Sequence, residues 1–199
     1  MKILLAEADR DFLSTFRQLL SLDGHEVVTV FDGTQVITKT TTEYFDLVVL
    51  SHQIPRIDCR TLILSLSEKN IPTIVLLDTK ISSSILLSEI LANAYLAFPF
   101  FPNELTELMN EVIKCYNSKE TISISDIEIQ PSEFKLCGKT PVTAQEIKLV
   151  ETLIGNKPLD AKRAEPFINS LNNKLERLGK KNRIKYITGD GYRLVTENG

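Results

Sequence analysis

The chain has no tryptophan and contains only two histidines and three cysteines among its 199 residues. Cys59, Cys115 and Cys137 follow neither the spacing of a zinc site nor that of a disulfide framework. No apolar run reaches the roughly 18 residues of a membrane helix, and acidic residues come too early in the chain for a signal peptide. We therefore expect a cytoplasmic protein with buried free thiols, no metal site, no cofactor and no membrane association.

Charge is distributed unevenly along the chain. Residues 1–120 contain 10 Lys and Arg against 16 Asp and Glu, whereas residues 121–199 contain 13 against 10. Within residues 160–193 the count is 9 against 4. The length allows two small domains, and the split in charge supports them. The basic stretch is typical either of a surface that meets a polyanion or of a solvated face.

Residues 1–117 alternate between short apolar runs and amphipathic segments. The runs predict five strands, at residues 2–6, 27–31, 47–50, 73–77 and 95–97. Apolar stripes predict helices at residues 10–22, 34–42 and 59–67, and two more that begin at residues 82 and 102. Five strands alternating with five helices predict an α/β fold with a doubly wound, five-stranded parallel sheet.

Four segments of this half occur in a recognisable order. They are ILLAEAD at 3–9, DLVVLSHQIPRID at 46–58, PTIVLL at 72–77 and LANAYLAFPF at 91–100. Together they resemble the receiver domain of bacterial response regulators, a flavodoxin-like fold. The resemblance implies a phosphorylation site at the carboxyl ends of the strands. Such a site holds magnesium with acidic side chains and transfers a phosphoryl group to an aspartate.

This chain departs from the family's pattern at the magnesium and acceptor positions. Glu7 keeps one acidic position, but Ala8 occupies the other, and Ser51 stands where the family has the acceptor aspartate. A serine hydroxyl without a base does not replace a carboxylate nucleophile. His52 cannot serve as that base, because the next residue along a strand points to the opposite face.

The remaining positions of the family's site have changed as well. Leu77 stands where the family has a hydroxyl residue, and Phe98 replaces the lysine that precedes a proline. Tyr95 keeps the aromatic residue that moves with the family's switch. We therefore expect a degenerate receiver that acts without aspartyl phosphorylation, with Leu77 and Phe98 packed into the former phosphate pocket.

A short polar linker at residues 118–122 precedes a second domain at residues 123–199. Short apolar runs predict strands at 121–125, 127–129, 134–137 and 141–142. A capping-box pattern from Thr143 to Glu146 opens a helix that ends at Gly155. A second helix is expected at 165–178, with Pro166 in its first turn. A β-hairpin follows, with strands at 184–187 and 192–195.

Three segments of this domain resemble the winged helix-turn-helix effector domain of the OmpR/PhoB class. They are VTAQEIKLVETLI at 142–154, FINSLNNKLERLG at 167–179 and YITGDGYRLV at 186–195. The resemblance implies that the second helix enters the major groove of duplex DNA and that the hairpin touches the backbone. Amide and cationic side chains on the polar face of the helix and along the hairpin suit base and phosphate contacts. The candidate DNA-binding residues are Asn169, Asn173, Lys174, Arg177, Lys180, Lys181, Arg183, Lys185 and Arg193.

The sequence is compatible with two hypotheses about function. The first is an atypical response regulator that binds DNA and regulates transcription, with a homodimer through the receiver as an option. The second is a protein-interaction module that binds a kinase, a phosphotransfer protein or another regulator and has lost DNA binding. The second gains support because only about ten residues, 155–165, join two helices between which the family has a whole middle helix. No catalytic constellation is left, so we do not expect an enzyme.

Overall fold

The computed structural model describes residues 1–78, 91–155 and 159–196, apart from the side chains of Ala161 and Arg163. The chain divides into two compact units between Lys114 and Cys115, whereas the sequence placed the end of the first domain at residue 117. The helix expected from residue 82 lies outside the described residues. Within those ranges, no helix combines the length and apolar composition that a membrane span requires.

The N-terminal unit is an α/β fold built on one parallel sheet. The strands lie in the order β2-β1-β3-β4-β5, and every pairing between neighbours is parallel. The predicted doubly wound sheet is therefore confirmed. Its elements are β1 (Lys2–Ala6), α1 (Arg10–Leu22), β2 (Glu26–Val30), α2 (Gly33–Thr42), β3 (Leu47–Ser51), α3 (Cys59–Glu68), β4 (Thr73–Leu77), β5 (Ala94–Ala97) and α4 (Pro102–Asn117).

The core of this unit is the middle of the sheet. Every residue of β3 and of β4 is buried. Helices on both faces of a parallel sheet explain why these strands are apolar without alternation. The central strand β3 carries Ser51 to the carboxyl edge of the sheet, where the loops that follow β1, β4 and β5 also begin.

Aspartate side chains begin each of the first three helices. Asp9, Asp32 and Asp58 are the N-cap residues of α1, α2 and α3, and each accepts a hydrogen bond from a backbone N–H of the first turn. These bonds satisfy donors that the helix itself leaves unpaired. The same loops surround the end of β3, so the caps fix the backbone around the candidate site.

Gly33 allows the loop after β3 to pack directly on the start of α2. Its N–H donates to the carbonyl oxygen of Pro55 over 3.0 Å. A Cβ atom at residue 33 would lie 2.8 Å from the Cβ atom of Ile57, closer than a normal contact. The absence of a side chain at residue 33 therefore permits the close approach, and the hydrogen bond from Gly33 to Pro55 joins the loop to the start of α2.

Among its described residues, the C-terminal unit contains a four-stranded antiparallel sheet of order β6-β7-β8-β9, two α-helices, a short 3-10 helix at Pro131–Glu133 and a separate hairpin, β10-β11. This small antiparallel domain was also predicted. The three cysteines of the chain are free, as expected, although Cys137 is only half-buried. The elements are β6 (Ile122–Ile124), β7 (Ile127–Gln130), β8 (Lys135–Leu136), β9 (Thr140–Pro141), α5 (Ala144–Ile154), α6 (Ala161–Arg177), β10 (Asn182–Ile187) and β11 (Gly191–Thr196).

Helix α6 begins four residues earlier than the sequence predicted. Asp160 caps it by accepting a hydrogen bond from the Lys162 N–H over 3.2 Å. Ala164 is buried, so packing holds the added turn. Pro166 consequently lies inside the helix rather than in its first turn, where its missing N–H removes one backbone hydrogen bond. Among the described residues between α5 and α6, none belongs to a further helix.

Candidate functional site

The acidic loop after β1 directs its carboxylates to its own backbone. Glu7 Oε1 accepts hydrogen bonds from the N–H groups of Ala8, over 2.6 Å, and Asp9, over 3.2 Å. Asp9 Oδ1 accepts from the N–H groups of Asp11 and Phe12 at the start of α1. Both carboxylates therefore act as local caps in this structure.

Ser51 ends β3 as a buried residue, with 5% of its surface exposed. Its hydroxyl oxygen accepts a hydrogen bond from the Gln53 N–H over 3.3 Å. Leu77 at the end of β4 and Tyr95 in the first half of β5 are also buried. The imidazole Nδ1 of His52 is buried and has no hydrogen-bond partner among the described residues.

Phe98 belongs to a cluster of phenylalanine rings at the start of α1. Its ring centroid lies 5.5 Å from that of Phe12 and 4.7 Å from that of Phe100. Phe16 completes the cluster by stacking on Phe12 at 4.2 Å. Where the family has a lysine, this chain therefore has a half-buried ring held by other rings. That Phe98 and Leu77 together fill a former phosphate pocket stays a prediction.

The residues at this edge of the sheet do not fit a magnesium ion. Magnesium prefers an octahedral set of oxygen ligands and usually binds one or two free carboxylates. Ala8 offers no side-chain oxygen, and one oxygen of each of the Glu7 and Asp9 carboxylates already accepts hydrogen bonds from backbone N–H groups. No group of three potential metal-binding side chains occurs among the described residues.

The outward face of α6 carries the amides that the sequence placed there. Asn169, Asn173 and Arg177 are exposed, as the helical wheel predicted. Glu165 and Glu176 are exposed on the same helix, together with Lys162. The described exposed residues of α6 thus include two cations and two carboxylates. This helix presents amide groups rather than net positive charge.

Lys174 does not belong to that face, and its assignment as a DNA contact was wrong. Its ammonium group donates to both carboxylate oxygens of Glu146, over 2.9 and 2.7 Å. Only 7% of the Lys174 side chain and 1% of the Glu146 side chain are exposed. Glu146 also accepts from the Thr143 N–H in the predicted capping box. The lysine therefore ties α6 to the start of α5.

Lys180 is also occupied within the domain. Its ammonium group donates to the carbonyl oxygen of Asp126 over 2.6 Å and lies 3.3 Å from a carboxylate oxygen of the same residue. The Asn182 amide donates to the other carboxylate oxygen. These bonds attach the start of the hairpin to the β6–β7 turn and leave Lys180 less available to DNA than the sequence suggested.

The hairpin gathers cations on one of its faces. In the hairpin, Lys185 lies directly opposite Arg193, and Arg183 lies opposite Val195. Residues opposite each other and residues two apart along a strand share a face, so these side chains project to the same side. Lys181 and Lys185 are exposed. Arg183 is half-buried and donates to the carbonyl oxygens of Lys180 and Asn182.

Arg193 is only partly available on this basic face. It forms an ion pair with Asp190 at 2.9 Å, and 30% of its side chain is exposed. Lys185, and Lys181 just before the hairpin, are more exposed than Arg183 and Arg193. The ion pair between Arg193 and Asp190 is partly exposed to solvent, and such pairs contribute little to stability.

Asn172 has a role that the sequence did not reveal. Its side-chain oxygen accepts from the Ile184 N–H over 2.8 Å, and its amide donates to the Ile184 carbonyl over 3.0 Å. These two bonds join α6 to β10. A helical wheel placed Asn172 beside the polar face but contains no information about a strand twelve residues away.

Comparison with known proteins relates both units to regulators. No protein family model matches the chain. The transcriptional regulatory protein PrrA of Mycobacterium tuberculosis is 25% identical over 175 residues, which cover 82% of this chain and 75% of PrrA. The response regulator ArlR of Staphylococcus aureus is 22% identical over an alignment of 215 residues, which covers 96% of this chain and 98% of ArlR. Both relatives are regulators, and their alignments extend over most of this chain.

Solved structures agree on the fold. A mutant of RitR superimposes with a TM-score of 0.64 and covers 98% of this chain and 99% of its own, at 18% identity. The receiver domain of the Francisella response regulator 1452 matches with a TM-score of 0.50 at 26% identity. It covers 57% of this chain and 96% of its own. The first match extends over both units of this chain, and the second covers about the length of the N-terminal unit.

Proposed function

We propose that this chain is an atypical response regulator that binds duplex DNA through its C-terminal unit and regulates transcription without aspartyl phosphorylation. The observation that carries the proposal is the basic face of the hairpin. Arg183, Lys185 and Arg193 project to one side of β10-β11, and the exposed Lys181 precedes them. Phosphate contacts of this kind supply most of the affinity of a protein for DNA.

The exposed amides of α6 suit a different part of the same interaction. Asn169 and Asn173 are one turn apart on the outward face. An asparagine can form two hydrogen bonds with adenine in the major groove, whereas a lysine on the hairpin meets phosphates at any sequence. We therefore assign sequence reading to α6 and most of the affinity to the hairpin.

Independence from phosphorylation is proposed from the changed receiver site. Ser51 is buried at the acceptor position, and the ring of Phe98 lies among other rings at the lysine position. The carboxylates of Glu7 and Asp9 bind local N–H groups. Neither a carboxylate nucleophile nor a cation for the phosphoryl group stands at these positions, so we propose a regulatory and non-enzymatic role.

A second function has a specific observation in its favour. Lys174, Lys180 and Arg193 are each paired with an acid inside the domain. The exposed surface of α6 carries as many carboxylates as cations among its described residues. Both facts reduce the attraction for a polyanion. They favour a module that binds a kinase, a phosphotransfer protein or another regulator.

Fluorescence anisotropy of the full chain with labelled duplex DNA separates the two functions. We expect binding at low salt that weakens steeply as salt rises, because each phosphate contact releases a counterion. We also expect a dimer to bind more tightly than a monomer, since paired half-sites match a twofold protein. If no duplex binding is measurable at low salt, the interaction module replaces the DNA-binding regulator.

A further inference from the structure

The N-terminal unit carries an open groove that the proposed function does not use. The groove has a volume of about 730 Å³ and lies between α1 and the outer strand β2. Arg10 and Arg17 line it from the helix, and Thr29 in β2 and Phe31 just after β2 line the opposite side. Leu22, which is 84% exposed, lies at the C-terminal end of α1 and also lines the groove. The groove is therefore lined by both cationic and apolar side chains.

The two arginines are a local exception in an acidic half of the chain. Residues 1–120 hold 16 acidic against 10 basic side chains. Arg10 and Arg17 are exposed, and neither forms an ion pair with any residue that the structure describes. The guanidinium of Arg10 lies 5.1 Å from the centroid of the Phe31 ring, which holds it over the groove. A ligand with carboxylates is complementary to this pair.

Strand β2 offers unpaired backbone beside the arginines. Among the described strands it pairs with β1 alone, at the outer edge of the sheet. The Glu26 N–H donates to Met1, and the Val30 carbonyl accepts from Glu7. Because successive residues of a strand direct their backbone groups to opposite sides, the N–H and C=O groups of Val27 and Thr29 point away from β1. An extended peptide could bond to them.

Side chains alternate between the two faces of a strand, so every second side chain of such a peptide would lie over the groove. Thr29 in β2 lines the groove together with α1, so its side chain lies on the face of the sheet on which α1 packs, and Phe31 just after the strand lines the same groove. A strand added beside β2 would direct every second side chain toward the same face. Carboxylates at alternate positions would then lie near Arg10 and Arg17, which are about 10 Å apart along the helix axis.

We propose that the groove between α1 and β2 docks an extended acidic segment of a partner protein as an added strand. Main-chain hydrogen bonds to β2 would supply affinity, and the arginines would select for acidic side chains. A second copy of this chain fits less well. The only acid of β2, Glu26, lies at the alternate position and faces away from the groove. The proposal is independent of DNA binding.

A synthetic peptide tests the docking site in the full-length protein. The probe is a short fluorescein-labelled peptide of alternating valine and glutamate, capped at both ends, and the control peptide has lysine for glutamate. We expect saturable binding of the first peptide and none of the second. The double substitution Arg10→Ala and Arg17→Ala should weaken binding about tenfold, as expected for two partly exposed ion pairs. Arg60→Ala, which changes an exposed arginine of α3, should leave binding unchanged.

The substitution Thr29→Pro tests the added strand separately from the charge. It removes an N–H that points away from β1, so the β1–β2 ladder keeps its bonds, and a circular dichroism melt checks the fold. We expect this variant to lose peptide binding while it keeps both arginines and the DNA affinity of the parent. Equal binding by the Thr29→Pro and parent proteins would show an anion site without strand addition and overturn the proposal. Failure of the glutamate peptide to bind the parent would overturn it as well.

Discussion

The ammonium group of Lys174 and the carboxylate of Glu146 form a buried ion pair between the consecutive helices α6 and α5. The two residues are 28 positions apart, and the shorter nitrogen–oxygen distance is 2.7 Å. The same carboxylate accepts hydrogen bonds from the N–H and the hydroxyl of Thr143. The pair therefore fixes α6 against the start of α5, and with it the orientation of the exposed amides.

Removal of one member of this pair should destabilise the C-terminal unit. Lys174→Ala leaves the Glu146 carboxylate buried without its cation, which is expected to cost about 3–5 kcal/mol of the free energy of unfolding. Differential scanning calorimetry of the full chain measures the change. Lys181→Ala removes an exposed lysine and should shift the melting temperature little. A melting temperature equal to that of the parent would show that Lys174 is solvated.

The contact between Lys174 and Glu146 is of a kind that sequence patterns do not predict. Local patterns predicted the strands of the receiver, because a buried parallel strand such as β3 is apolar along its whole length. They also predicted the capping box at Thr143. A helical wheel places Lys174 between the polar and apolar faces, but only the tertiary fold brings Glu146 to it. Long-range pairing therefore decides which cations remain exposed.

The start of α6 was missed for a related reason. Pro166 favours the first turn of a helix, so the sequence alone predicts a helix that begins at residue 165. The structure instead caps the helix at Asp160 and buries Ala164. The packing of Ala164 and the cap offset the hydrogen bond that Pro166 lacks. Propensity is a weak guide where tertiary packing opposes it.

Phe98→Lys should destabilise the receiver. The substitution removes ring contacts with Phe12 and Phe100, each worth about 0.5–1.5 kcal/mol beyond burial. It also places an ammonium group among apolar rings, so we expect a total loss of about 2–4 kcal/mol. Thermal unfolding followed by circular dichroism measures it. Phe101→Lys is the matched control, because Phe101 is 71% exposed. Equal melting temperatures for the Phe98→Lys and parent proteins would indicate a solvated site.

The receiver should not take up a phosphoryl group from a small-molecule phosphodonor. Ser51 is buried and offers a hydroxyl rather than a carboxylate, and Phe98 supplies no cation. Intact mass spectrometry after incubation with acetyl phosphate and magnesium should show the unmodified mass. The variant Ser51→Asp restores only the acceptor, and we expect it to remain unmodified because Ala8 and Phe98 are unchanged. A stoichiometric phosphate adduct on the parent receiver would contradict independence from phosphorylation.

The carboxylate of Glu43 should stabilise the receiver in a pH-dependent way. Lys39 and Lys2 donate to its two oxygens over 2.7 and 2.9 Å. The hydrogen bond from Lys39, followed by that from Lys2, lowers the pKa of Glu43 from 4.5 to about 2. A lowered pKa means that the stabilisation is fully present above pH 4.5 and is lost as the pH falls toward about 2.

The substitution Glu43→Gln tests this dependence. At neutral pH the variant should melt below the parent, and the difference in melting temperature should shrink as the pH falls through that range. Added salt should also reduce the difference, because the pair is partly exposed and therefore screened. Glu68→Gln, on the exposed end of α3, is the control. A difference that stays constant down to the lowest pH would show that the charge of Glu43 is not the cause.

The hairpin and α6 should contribute differently to DNA binding. Lys181→Ala and Lys185→Ala remove exposed cations, so each should weaken binding to all duplexes alike. Each should also lower the salt dependence by about one unit per lost phosphate contact. Asn173→Ala removes an exposed amide and should cost about 1–3 kcal/mol on the preferred site only.

Anisotropy titrations of these variants, on the preferred duplex and on a scrambled one at several salt concentrations, separate the two roles. Lys162→Ala is the matched control, since it removes an exposed cation at the opposite end of α6 from the hairpin. Because Glu165 lies on the same exposed turn, we expect Lys162 to add little to the attraction for phosphates.

If Lys162→Ala weakened binding as much as Lys185→Ala did, the affinity would come from charge spread over the whole domain. A sequence-independent effect of Asn173→Ala would likewise remove α6 from base recognition. The assignment of the two roles therefore depends on the contrast between variants and not on the loss of binding by any one of them.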